Sequence, residues 1–262
     1  RTYVQRPALN AWELELRRRH RAYDGSLVST MSYGPDVNLS IPGWSIPQCL
    51  DVARKLNFYA PYLVSFSCNS PFSAGAPWPG HSKRIFLRAG RRPAVKLFAD
   101  GRSLGTSETR LCRRSMMAYE ARSAHEHGRI EFKAFDAMPD ATLLLACAQL
   151  LVGLCLDDAL AGRSEGADVA MYRRVARKGF EDPDVEAGAR TALQHAKAAL
   201  RRGGMLSASN DLVPLERLLA AKRTPAHETL DRARCDGLPY RFGGLAACQD
   251  AMQMILPECV AR

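Results

Sequence analysis

Two short stretches decide how this chain is read: Gly34-Pro-Asp-Val-Asn-Leu-Ser-Ile41 and Arg129-Ile-Glu-Phe-Lys-Ala-Phe-Asp136. Both alternate, and in an extended chain successive side chains point to opposite faces. Asp36, Asn38 and Ser40 then share one face of the first stretch, with Val37, Leu39 and Ile41 on the other. In the second, Arg129, Glu131 and Lys133 share a face, while Ile130, Phe132 and Ala134 turn toward a core. If both strands join one sheet, it buries one side and carries oxygen ligands and a cation on the other. Hard oxygen ligands suit magnesium, and Lys or Arg suits phosphate. The same alternation also describes a half-solvated antiparallel sheet whose polar face meets only water.

Ahead of the first strand, residues 10–23 read as a basic amphipathic helix. A turn marked by Pro42-Gly43 and Pro47 leads into a helix over about 48–67. Residues 69–93 open with Asn69-Ser-Pro-Phe-Ser-Ala-Gly-Ala-Pro-Trp-Pro-Gly80, which cannot be a central strand or helix. Long ordered loops in compact domains are usually functional, and Phe72 and Trp78 favour a loop that packs. A short strand is expected over 94–98, a helix over 107–127, and a buried helix over about 140–161 opened by Pro139-Asp140. Residues 162–166 read as a hinge. Helices then dominate, over 168–178, 182–202, 211–222, 225–235 and 244–255, broken at Gly203-Gly204, Pro214, Pro225 and Pro239. The expected fold is α+β: an antiparallel sheet lining a cleft, with a helical C-terminal half packed against it. On this reading 1–160 holds the α+β core and 161–262 the helical region.

A hydrophobic share of 47% and a charged share of 24% are ordinary for a soluble globular chain. The net charge of +10 suggests acidic partners, such as nucleotide, an acidic substrate, an acidic subunit or nucleic acid. The basic residues are dispersed, without a stripe interleaved with aromatics, which argues against specific nucleic-acid binding. The eight cysteines include no Cys-x-x-Cys, and Cys147 and Cys155 sit in the apolar run 143–156. They read as free small hydrophobes in a reducing cytoplasm rather than a zinc site or disulfide framework. That apolar run is too short to cross a bilayer and ends at Asp157-Asp158, so no membrane association is expected. His125-Glu-His127 reads as a solvated turn.

Between the two strands, Leu50-Asp-Val-Ala-Arg-Lys-Leu-Asn-Phe-Tyr-Ala-Pro-Tyr-Leu-Val-Ser-Phe-Ser-Cys-Asn-Ser-Pro-Phe-Ser-Ala-Gly75 runs from a helix into an Asn-Ser-Pro-Phe loop. This segment resembles that of glutamate–cysteine ligases and related carboxylate–amine ligases. In that family it follows a strand bearing His-x-His or His-x-Asn, here Asp36-Val37-Asn38, and precedes a Ser-x-Arg, here Ser82-Lys83-Arg84. A Glu-x-Arg strand comes later, here Glu131-Phe132-Lys133. The resemblance covers about residues 30–160 and is looser beyond. It implies an ATP-dependent ligase, or a subunit of one, working through an acyl-phosphate with ATP and magnesium. Glu131 and Asp36 would be metal ligands, Asn38 and Lys133 would meet the nucleotide, and Lys133 and Arg84 would be catalytic. Ser82, Arg84 and Asn69 would bind an amino-acid or small carboxylate substrate.

Three departures from the family pattern temper this expectation. Asp36 stands where the family has histidine, and Lys133, without a bidentate fork, where it has arginine. The family's strand of paired glutamates lies ahead of this region, and the chain starts at Arg1 rather than Met, as a trimmed chain would. Trp12-Glu-Leu-Glu-Leu16 mimics such a strand. Asn10-Ala-Trp-Glu13 nevertheless reads as a capping box, with Glu13/Arg17 and Glu15/Arg19 as helix ion pairs. These departures raise the alternative of a catalytically degenerate binding or assembly subunit, completed at its sheet edge by a partner chain or second copy.

Overall fold

Hydrogen-bond register turns the alternation of the two strands into an inside and an outside. The computed structural model describes residues 34–39, 44–73, 76–88, 93–95, 117–118 and 129–235. Along the chain run β1 (Val37–Leu39), α1 (Ile46–Leu63), the short strands β2 (Phe72–Ser73) and β3 (Ala76–Pro77), α2 (Lys83–Arg88), β4 (Met117–Ala118) and β5 (Arg129–Phe132). Six helices follow: α3 (Ala141–Leu156), α4 (Val169–Lys178), α5 (Pro183–Arg202), α6 (Leu206–Asn210), α7 (Val213–Ala220) and α8 (Pro225–Cys235). Single 3-10 turns extend α1 (Val64–Ser67) and α4 (Gly179–Glu181). The described residues are thus mixed helix and small antiparallel sheets, in keeping with an α+β chain. The expected helices over 10–23 and 244–255, with Glu13 and Glu15, lie outside them, as do Ser40, Ile41, His125 and His127.

The larger sheet has the order β1-β5-β4, antiparallel throughout, with Val37 facing Phe132, Asn38 facing Glu131 and Leu39 facing Ile130. Val37, Leu39, Ile130 and Phe132 are buried. Met117 and Ala118 fall inside the helix expected over 107–127 but form β4, opposite Ile130 and Arg129. A strand edge presents unpaired N–H and C=O groups, and this non-local pairing overrides local helix propensity. Residues 94 and 95, expected in a strand, form a buried bend. The Asn57 side chain grips its backbone, donating to the Val95 carbonyl and accepting from the Val95 N–H, both at 2.8 Å.

One apolar cluster runs from Val37 to Leu219. At its centre lies α3, apolar nearly all round, as a buried helix must be. The helix α5 offers it a stripe of small residues, Ala189, Ala192, Ala196 and Ala199, all buried. The approach is close: a Cβ on Gly153 would stand 2.5 Å from the Ala196 carbonyl oxygen. Starts are set by side-chain caps, Ser45 with Gln48 at α1, Asp140 at α3, Asp168 at α4 and Asp182 at α5. The far end of α3 is closed by Lys55, a fully buried ammonium that donates to the carbonyls of Leu154 (3.1 Å) and Asp157. Cys49, Cys68, Cys147 and Cys155 are free and buried. Among the described residues no helix is long and apolar enough to cross a membrane.

Candidate functional site

The register that pairs Asn38 with Glu131 sets Asp36, two residues back, across from Lys133, two residues on. Opposite charges at facing positions of an antiparallel pair attract. Lys133 Nζ lies 2.6 Å from Asp36 Oδ2 and 3.0 Å from Glu131 Oε1. Glu131 is 7% exposed, whereas Asp36 and Asn38 face solvent. The Lys133 N–H donates to the Ala94 carbonyl at 2.9 Å, so the buried bend steadies the residue just past β5. Four residues expected on one polar face, Asp36, Asn38, Glu131 and Lys133, are therefore neighbours.

Behind that face a second cluster forms around Asp136, fully buried. Its carboxylate accepts from the Asn69 N–H (3.0 Å), Ser70 Oγ (2.7 Å), Ser82 Oγ (2.6 Å) and the Ala137 N–H (2.9 Å). Its own N–H donates to Ser67 Oγ at 3.0 Å. Arg84 sends Nη1 to the Phe135 carbonyl at 2.6 Å and comes within 3.9 Å of Asp136 Oδ1. Burial pushes the Arg84 pKa down, while Asp136 and Asp36 oppose that shift. Its Nε has no hydrogen-bond partner among the described residues. Ser82 also accepts from the Ile85 N–H at 3.0 Å, starting α2 inside the stretch over 69–93 expected to be a packed loop. The Asn69 side chain accepts from Thr229 Oγ1 of α8.

Asn69, Ser82 and Arg84 thus meet on one buried carboxylate, and Asp36, Glu131 and Lys133 on the strand face. The hub was missed in the sequence although a signal was present. Asp136 shares the parity of Ile130, Phe132 and Ala134, so its carboxylate falls on the face that turns to the core. An acid in that position needs several donors, and the Ser/Asn-rich loop supplies them.

The donor set bears on magnesium. This ion keeps several waters and takes one or two carboxylates plus substrate phosphates. Asp36 and Glu131 suit an ion carried in by a nucleotide; among the described residues no third carboxylate joins them in a metal-binding group. No family model matches the chain, and no curated protein or solved structure matches it either.

Proposed function

We propose that the chain carries the core of an ATP-dependent carboxylate–amine ligase similar to glutamate–cysteine ligases, or of a subunit of one. The polar face of the β1–β5 pair would line its cleft, against which the helical C-terminal region packs. The observation that carries this reading is the meeting of Asp36, Glu131 and Lys133 across 97 positions of sequence. In such chemistry a substrate carboxylate attacks the terminal phosphorus of ATP and ADP leaves. An amine then displaces phosphate from the acyl-phosphate, and the catalyst's task is to align reactants and offset charge. Magnesium would shield the phosphates. Asp36 and Glu131 would hold it, with Asn38 beside them. The flexible stem of Lys133 would carry its ammonium to the transferred phosphoryl group. Arg84, with a donor to spare, would hold the acid substrate next to the loop of Asn69 and Ser82. The four cysteines found free and buried among the described residues support a reducing, cytoplasmic setting. Glu131→Gln should abolish ATP consumption driven by acid and amine while leaving the melting curve in place. Unchanged turnover would remove Glu131 from the mechanism.

One observation favours a second reading. The Lys133 ammonium already bridges both carboxylates, in the position a metal ion would take. A catalytically degenerate subunit, completed at its sheet edge by a partner chain or second copy, would keep this ion triad without a metal. A stable monomer that hydrolyses ATP by itself in gel-filtration fractions would exclude that reading.

A further inference from the structure

Away from the strand face, three side chains converge from distant parts of the chain. His81 precedes α2, Glu181 ends the 3-10 turn after α4, and His227 lies in the first turn of α8. Each offers a ligand atom, and these atoms all lie within 4.8 Å of one another. His227 Nε2 is 3.9 Å from Glu181 Oε1, and the imidazole rings meet edge to face with centroids 4.6 Å apart.

His81 is only 9% exposed, and its Nδ1 has no hydrogen-bond partner among the described residues. A buried polar atom left unmatched is costly, and its persistence calls for a ligand. The backbone keeps room beside it. Gly179 has φ +50°, and a Cβ there would come 2.5 Å from His81 Nδ1 and 2.6 Å from Thr224 Cγ2. Burial, then the neighbouring His227, push the His81 pKa down to about 4 against the pull of Glu181.

His227 has the tautomeric freedom to join it. Its Nδ1 accepts from the Thr224 N–H at 3.0 Å and lies 3.1 Å from the Thr224 carbonyl. In the other tautomer Nδ1–H donates to that carbonyl in place of accepting from the N–H, and Nε2 is then free to coordinate, the outer-shell arrangement common to ligating histidines. Glu181, with its side chain 60% exposed, opens the niche to solvent.

We infer that His81, Glu181 and His227 form a binding site for zinc or a similar first-row divalent ion, with a fourth position left to water. Two imidazoles and a carboxylate are a donor set that zinc accepts at about 2.0–2.1 Å. Tetrahedral geometry at that length sets ligand atoms about 3.3 Å apart, so the niche needs to contract by no more than about 1.5 Å. The ion would tie α8 to the loop that serves the Asp136 hub. Along that seam the Ala226 N–H already donates to the Cys68 carbonyl at 2.9 Å, and Ser82, next to His81, donates to Asp136. The site is independent of the strand face and of any nucleotide chemistry there.

The test is zinc titration of the full chain after chelator treatment, by calorimetry and metal analysis, with melting curves alongside. One zinc per chain is expected, with a melting temperature that rises with zinc concentration. Glu181→Gln and His227→Ala should each weaken binding by at least about tenfold. Glu181 is exposed, so its variant reads out the site even if His227→Ala unfolds early. No zinc bound by the wild type, or unchanged affinity in Glu181→Gln, would overturn the site. The second result would move the zinc to other histidines or cysteines.

Discussion

Removing the Asp136 carboxylate would leave the Arg84 guanidinium buried without its counter-charge, and would strip Asn69, Ser70 and Ser82 of their acceptor. Breaking such a buried pair from one side costs about 3–5 kcal/mol, far more than the pair's net worth when intact. Asp136→Ala should lower the unfolding free energy by about that much, read from the urea midpoint at an unchanged slope. A loss below about 1 kcal/mol would mean that the hub is solvated and dispensable. At this scale the sequence was legible where chemistry follows parity. Asp36, Glu131 and Lys133 were expected on one face and are found together there. It was less legible where a polar side chain enters the core. Asp136 and Lys55 become intelligible only with distant partners, such as Ser82, 54 positions from Asp136, and Asp157, 102 positions from Lys55.

At the scale of elements, caps and apolar periodicity marked most helices within a few residues, because both signals are local. The strand β4 was not legible, since among the described residues it is fixed by non-local pairing with β5, and α2 was hidden among prolines and glycines. The end of α3 offers a test in acid. Asp157 is buried, which alone would raise its pKa, but the Leu160 N–H, Arg202 and His195 outweigh burial and hold it below the usual carboxylate range. Its unfolded value is about 3.9. As pH falls through that value the unfolded chain takes up a proton first, so this contribution is complete at neutral pH and is lost toward the lower folded pKa. Asp157→Asn should therefore flatten the acid limb of the stability curve between about pH 5 and 2. Urea midpoints across that range measure it, and an unaltered limb would assign acid lability to other carboxylates.

For the molecule as a whole, a single apolar cluster holds the strand face, the Asp136 hub and the helices in one frame. The Asp136 hub and the His81–Glu181–His227 niche are linked through Ser82, the residue after His81, which donates to Asp136. The resemblance to carboxylate–amine ligases rests on four motifs in order, and their residues fall in two clusters, one on the strand face and one around Asp136. The measurement that tests the ligase reading most directly is calorimetric titration of the purified chain with ATP, with and without magnesium. The account predicts binding that requires magnesium and disappears in Glu131→Gln. Binding that is indifferent to magnesium, or that survives in Glu131→Gln, would contradict it, and so would no binding at all.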